Sequence, residues 1–530
     1  MNAGFVGTVP LLKVALHQDA RKIAPWVAGI SALSASSVLA YTWVFPDAHS
    51  RAELAAGVGA NPALSIIFGR AGDLLQADGF NAWRAGALGA FFAGVMAILI
   101  VVRNSRADED SGQAELLASA VMGRQARLAV AVLMAFVASV ALGVVASSLT
   151  IACGGGVANS ITLAATFTAV GLMSGSIAAV AAQLGSDARA ASAIAISILA
   201  GFFVVRGYFD ASQAADWTDW LTPLGWMQQV RPAAGNNWWP LLLAVVVALV
   251  VAALAFALQG RRDFAMGLIA PRPGPSRGGW AASIWGLALQ LNRGSLIAWL
   301  LGFAAVGAVF GNLATSVGDV LADNPTMSAM MAAGGATKVG LTFQFLVTIL
   351  RLVGIIAAVF GVQVVLRMYA EESQFRIDPL LAGALRRRTY LASNALLAFA
   401  ASAAAMAVAG AIIGVVAAQV ETTVSADEVM RQALVTIPAV WTLVALALAA
   451  VGAWPAARVV GWLGIVLAFA LALLGPLFRL WTWILAISPL WHIPDVTASS
   501  PDWSGLAWIS LATVAFITVA FVGFRIRDIL

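Results

Sequence analysis

The sequence predicts an all-α polytopic integral membrane protein of about 12 transmembrane helices, built as two parallel six-helix repeats with pseudo-two-fold symmetry along the membrane normal. Three observations predict it. Of 530 residues, 61% are hydrophobic and only 10% charged, whereas a domain facing water keeps roughly a quarter of its residues charged. The apolar runs are roughly 20 residues long, the length of a spanning helix, and do not alternate as barrel strands do. Short segments also recur in the second half of the chain at a nearly constant offset. Lipid offers no hydrogen bonds, so each crossing segment must satisfy its backbone internally, as a helix does.

Apolar runs bounded by charge place the spans at 23–45, 85–102, 128–149, 161–183, 190–205 and 240–258, then at 296–317, 346–366, 391–417, 433–451, 459–478 and 506–524. None of these runs contains Asp or Glu, and His17, His49 and His492 all lie outside them. With the N-terminus inside, 21 of the 30 Lys and Arg fall in inner segments, eight in outer ones, and one, Arg351, within a span. That bias sets both termini in the cytoplasm. It also accounts for the net charge of +5 without nucleic acid. Trp217, Trp220, Trp226, Trp238, Trp239, Trp481 and Trp483 read as an aromatic belt at the outer interface. The single cysteine, Cys153, excludes an internal disulfide and a multi-cysteine metal site. The N-terminal apolar run is too long for a cleavable signal and lacks a small-residue cleavage site.

The repeat is carried by four matches. Leu116-Leu117-Ala118-Ser119-Ala120 with Arg124 recurs as Leu380-Leu381-Ala382-Gly383-Ala384 with Arg388. Glu109-Asp110-Ser111 matches Glu371-Glu372-Ser373, Leu221-Thr222-Pro223-Leu224 matches Ile487-Ser488-Pro489-Leu490, and Arg262-Asp263 matches Arg527-Asp528. Both copies run in the same sense, which makes the repeat parallel. Residues 1–270 and 280–530 are the two halves, joined by the Pro- and Gly-rich linker 271–279. Each half opens on an amphipathic stretch, 9–22 and 280–293, expected to lie as a helix in the inner interface. Gly171, Gly175 and Ala179 in the fourth span are spaced to let helices approach closely.

The inner loop after the second span reads acids first, a Leu-Leu pair in the middle and Arg last, and its counterpart in the other half is similar. That order suits a short amphipathic helix with its charges set against its dipole, of the kind a cytoplasmic partner docks on. The run Arg106-x-x-Glu109-Asp110-x-Gly112-x-x-Glu115-Leu116-Leu117, ending in Arg124, resembles the loop of type-2 ABC exporter permeases. The fused, double-length actinobacterial group of tetronasin-type antibiotic and multidrug exporters is the most similar. Arg261-Arg262-Asp263-Phe264-Ala265-Met266-Gly267-Leu268, Trp220-Leu221-Thr222-Pro223-Leu224-Gly225-Trp226 and the final Arg525-Ile526-Arg527-Asp528-Ile529 fit the same group. The second loop departs from the pattern: Gln374 and Phe375 stand where a Gly is expected, and Pro379 where a Glu is.

The resemblance implies the membrane half of an ATP-driven exporter, in the bacterial cell membrane, moving small amphipathic compounds outward. The two loops would be coupling helices seated in two copies of a P-loop ATPase. Glu109, Asp110, Glu115, Arg124, Glu371, Glu372 and Arg388 would make polar contacts with it, and Leu116, Leu117, Leu380 and Leu381 apolar ones, with Gly112 at the turn. No P-loop can be built here, because Lys13, Lys22 and Lys338 all lack the Gly that must precede the phosphate-binding Lys. The chain therefore calls for no cofactor of its own and is not an enzyme by itself; ATP and Mg would be bound by the partner. The rival is an ion-coupled carrier, against which the acid-free spans argue, since proton relays need a titratable group in the membrane. A membrane enzyme would want clustered outer acids, and the pairs Asp73/Asp78, Asp216/Asp219 and Asp427/Glu428 read as solvated loop charges. Arg351 sits near the outer leaflet and is a candidate substrate or gate residue, or a snorkelling side chain paired with an acid such as Asp319.

Overall fold

The computed structural model of the chain describes residues 3–59, 62–112, 122–212, 214–263, 266–269, 278–322, 338–383, 385–420, 425–477, 481–497 and 501–528. Among these residues every regular element is helical, and 12 helices are long and apolar enough to cross a membrane. The chain divides into two compact units, Met1–Pro273 and Gly274–Leu530. The first holds α1 (Thr8–Val44), α2 (Ala77–Val102), α3 (Ala126–Ala152), α4 (Val157–Leu184), α5 (Ala188–Ala211) and α6 (Trp239–Gln259). The second holds α7 (Ile284–Ala322), α8 (Lys338–Ser373), α9 (Arg387–Val420), α10 (Ala426–Ala453), α11 (Val459–Leu477) and α12 (Ser504–Ile526).

Three local readings change. The amphipathic stretch 9–22 is not a separate surface helix: α1 runs through it for 37 residues, since nothing between Lys22 and Ile23 breaks a helix. In the second unit α7 does the same from Ile284, after a tight turn at Gly279–Ala282 and a cap in which the Gly286 amide donates to Ser283 Oγ. Span five does not stop at residue 205. α5 continues to Ala211, carrying Arg206 and Asp210 inside the helix and buried at 3% and 2% exposure. The helix that holds the fifth span therefore carries an acid, Asp210, beyond the apolar run read from the sequence. An Arg and an Asp four residues apart neutralise each other on one helix face, so the helix need not end where the charge begins.

The two units share one packing plan. α4 touches α2, α3, α5 and α6, while α1 packs on α2 and α3; α10 touches α8, α9, α11 and α12, while α7 packs on α8 and α9. The fourth helix is among the most buried of each repeat, and small residues at its contacts set the spacing. A Cβ on Gly171 of α4 would fall 2.3 Å from Ser139 Oγ of α3, and one on Gly175 would lie 3.2 Å from Ala135 Cβ. Ala179 is fully buried. In the second unit Gly410 of α9 faces Ala433 of α10 with the same closeness, 2.3 Å. Without water to drive helices together, such dispersion contacts carry the association. Exposed tryptophans rim helix ends in each unit, Trp217, Trp238 and Trp239 in the first and Trp280, Trp285 and Trp454 in the second. We expect Gly171→Val to lower the stability of the detergent-solubilised protein by about 1–3 kcal/mol through overpacking. Gly201→Ala, with nothing within 4 Å of its added Cβ, should leave the melting temperature unchanged; equal effects would remove the close approach as a source of stability.

Candidate functional site at the charged helix ends

α2 does not stop at the membrane boundary. It widens into a π turn at Arg103–Ala107 and closes with Asp108–Asp110, making one rod from Ala77 to Asp110. At its tip Glu109 is buried among three guanidinium groups. Arg106 reaches its Oε2 at 2.9 Å, Arg127 its Oε1 at 2.5 Å, and Arg262 both oxygens at 3.0 and 2.6 Å. The arginines are satisfied beyond that carboxylate: Arg106 also donates to the Ala182 and Met266 carbonyls, and Arg262 to Met266. Arg124 donates to the Arg262 carbonyl at 2.9 Å, and Gln259 donates back to the Arg124 carbonyl at 3.0 Å. One carboxylate thus pins the ends of α2, α3 and α6 together.

The chain after α6 completes this knot. The Leu268 and Ile269 amides donate to the Gln183 and Leu184 carbonyls at the end of α4. A Cβ on Gly267 would fall 2.5 Å from the Gly185 carbonyl, so the Met266-Gly267-Leu268 run needs glycine for this backbone-on-backbone approach. Asp110 accepts from the Ala188 amide at the start of α5, and Asp187 caps the same helix through the Ala190 amide. Asp19 ties α1 in, with Lys22 at 2.9 Å and Asn104 at 3.0 Å.

The second unit repeats the device in reduced form. Glu372, with no exposed surface, binds Arg527 in bidentate fashion at 2.5 and 2.6 Å. Arg527 also donates to the Gly452 carbonyl, and Arg387 donates to the Arg527 carbonyl at 3.0 Å. These contacts fix the register of the repeat: Glu109 corresponds to Glu372 and Arg124 to Arg387, not to Glu371 and Arg388 as the short matches suggest. Glu371 instead faces Arg367 at 3.6 Å, and Arg388 is exposed. In the same register Tyr369 and Tyr390 occupy the places of Arg106 and Arg127.

Gly112 and Phe375 correspond too. Gly112 has φ 76° and Phe375 φ 57°, and each amide closes back on the carbonyl of the buried glutamate, at 3.2 and 2.9 Å. Left-handed backbone ends both helices, as is common at a C-terminus. Where glycine is missing, Phe375 holds the same strained shape with its ring 63% exposed.

The roles expected of the loop residues change accordingly. Glu109 and Glu372 are buried and engaged within their own units, where each anchors the end of its helix. Arg124 donates to the Arg262 carbonyl and is still exposed. Leu380 and Leu381, in a short helix Asp378–Leu381, pack half-buried on the core of their own unit. Glu115, Leu116 and Leu117 lie outside the described residues. Among the charged residues that the described parts of these ends expose are Arg103, Asp110, Arg124, Arg376, Asp378, Arg386, Arg387 and Arg388, with Phe375 beside them.

At the opposite end Arg351 donates to the Ile493 carbonyl at 3.3 Å, and Gln432 brackets the same loop through Pro494 and Val496. Arg351 therefore holds a connection in place; the side chain of Asp319 lies outside the described residues. The sequence reading missed a second polar centre in the first unit. There Arg70 meets Asp210, Asp216 and Asp219 at 3.3, 3.0 and 3.6 Å, and Arg206 meets Asp210 at 3.1 Å. The i,i+4 spacing of Arg206 and Asp210 was the available signal. A cavity of about 370 Å³ opens beside them, with Trp83, Leu163 and Phe203 on its apolar side and Arg70, Asp219 and Gln229 on its polar side. Apolar grooves of about 330 and 370 Å³ also lie between α4, α5 and α6 and between α10, α11 and α12, each bordered by the proline of its Thr-Pro-Leu or Ser-Pro-Leu motif.

A family model described as multidrug efflux system permease Rv1217c, C-terminal domain, matches residues 13–258 and again 282–525. The chain belongs to this family. The multidrug efflux system permease protein Rv1217c of Mycobacterium tuberculosis (strain ATCC 25618 / H37Rv) is 37% identical over 500 residues, 93% of this chain and 90% of that protein. That one permease model covers both halves agrees with the shared helix packing and with the paired Glu109 and Glu372 anchors. The chain is a multi-pass cell-membrane protein of this permease family.

Replacing Glu109 with Gln leaves three neighbouring guanidiniums without their shared anion, and should destabilise the folded protein by about 3–5 kcal/mol; an unaltered melting temperature would show that the cage is dispensable. Phe375→Gly relieves left-handed strain, and should stabilise the protein or leave it unchanged, within about 1–2 kcal/mol. A clear loss of stability in that variant would mean the ring packs on something.

Proposed function

We propose that the chain is the permease subunit of an ATP-driven ABC exporter that moves amphipathic antibiotics, drugs or lipid-like compounds out of the cell. The observation that carries this reading is the repeated helix-end device. In both units the second helix is anchored at its charged end by a buried glutamate and then turns through a left-handed residue, Gly112 or Phe375. An anchored loop of this kind transmits force: a push on it moves the end of α2 with α3 and α6, or the end of α8 with α12. Energy then has to come from a separate pair of P-loop ATPase subunits, one per loop, which bind ATP and Mg. The charged ends and both termini face the cytoplasm, in line with the positive-inside distribution.

On the second loop Phe375 is the natural contact. A strained backbone that displays a bare aromatic ring to water is unfavourable on both counts, and such strain gathers where function requires it. The 370 Å³ cavity of the first unit, half apolar and half polar, suits an amphipathic substrate. The ion-coupled alternative gains nothing from Asp210, because that acid is held by Arg206 and Arg70 and is not a free proton carrier.

Purification of the tagged protein from native membranes in mild detergent should bring down a P-loop ATPase, with ATP hydrolysis in the eluate. Phe375→Gly should keep its melting temperature yet retain the ATPase about tenfold less well, as for loss of an aromatic anchor. A chain that purifies alone in every mild detergent would sink this reading and leave an ion-coupled carrier.

A further inference from the structure

The two units differ sharply at one place, between the start of the third helix and the end of the sixth. In the first unit the N-terminal turn Ala3–Phe5 closes it. The Gly123 and Gln125 amides donate to the Val6 and Gly4 carbonyls, both at 2.9 Å, and the Phe5 ring meets Phe256 edge-on at 5.8 Å. In the second unit the residues in register with Gly123, Gln125 and Gly260 are Arg386, Arg388 and Arg525. Together with Arg387 they line a cavity of about 330 Å³ whose floor is Leu391, Phe521 and Phe524. Arg386, Arg388 and Arg525 are exposed, and among the described residues none of the four pairs with a carboxylate.

We propose that this cavity binds the phosphate headgroup of an anionic phospholipid. Four like charges gathered without an acid repel one another and call for an anion. The cavity stands at the membrane boundary, where the first turn of α9 adds the favourable end of its dipole. Its apolar floor belongs to two spanning helices, and Val519, Val522 and Ile526 continue an exposed apolar face along α12 from its edge. A phosphate held by the arginines therefore leaves acyl chains running down α12 into the leaflet, as in other basic pockets between membrane helices. A free anion would have no use for that floor or face, and a docked protein would not need them to continue into the bilayer. The first unit fills the same place with its own chain.

The test is native mass spectrometry of the full-length protein titrated with phosphatidylglycerol and, separately, phosphatidylcholine. The wild type should retain one phosphatidylglycerol at least about tenfold more tightly than phosphatidylcholine, and Arg386→Gln/Arg388→Gln/Arg525→Gln should weaken it about a hundredfold. Should the triple variant not fold, Arg388→Gln alone should weaken retention about fivefold, while Arg388→Lys keeps most of it. Equal retention of both lipids by the wild type, or unchanged binding in the Gln variants, overturns the proposal. Displacement of the lipid by millimolar inorganic phosphate would assign a free-anion site instead, and displacement by the co-purified ATPase a protein contact; either result also overturns it.

Discussion

A carboxylate removed from water must find cations and donors on every side, and that constraint organises the charged end of each unit. Glu109 and Glu372 stand at the tip of a helix that has already crossed the membrane. Their partners come from the far end of the same repeat, Arg262 and Arg527, which ties the end of its second helix to the end of its sixth. The apolar packing deeper in the bundle sets the distances between helices, with Gly171 against Ser139 and Gly410 against Ala433. It does not say how far each rod slides along its neighbours. A directional ion pair at the helix ends does, because hydrogen bonds of 2.5–3.0 Å tolerate no slip of a turn.

The two versions of that anchor are chemically unlike. The first surrounds one carboxylate with three guanidiniums and stabilises the surplus charge with the Ala182 and Met266 carbonyls. The second uses a single bidentate arginine and fills the remaining places with Tyr369 and Tyr390, the latter stacked on Phe524. Three arginines on one acid make a rigid polar node that needs every partner present. One arginine and two rings leave a drier and simpler one. The glycine-to-phenylalanine exchange at the turn follows the same division: the backbone shape is kept in both units while the surface it displays differs.

How much was legible in the sequence follows from the range of the forces involved. The apolar interiors of the spans were readable because lipid imposes its demand on every residue of a crossing segment. Their ends were less so. Residue 205 read as an end because charge was taken as the boundary, and the pairing of Arg206 with Asp210 four residues on defeats that rule. Glu109 looked like a surface charge beside Asp110, since nothing local reveals that Arg262, 153 positions away, will close over it. The register of the repeat slipped by one, in opposite senses at Glu371 and Arg388, because the short matches lie in and beside the loop, whereas the bonds that fix it, Arg262 to Glu109 and Arg527 to Glu372, join residues 153 and 155 positions apart.

Keeping both repeats in a single polypeptide has a consequence for how such a protein can change. In a dimer of identical halves, each substitution is made twice, and symmetry forces both sides to accept it. Here Phe375 could replace a glycine on one side, and Arg386, Arg388 and Arg525 could gather on one side, while the other kept its glycines and its plugging N-terminal turn. Duplication followed by fusion thus separates two jobs that a symmetric ancestor would have had to perform with the same residues. One half is then free to change a surface that the other half keeps.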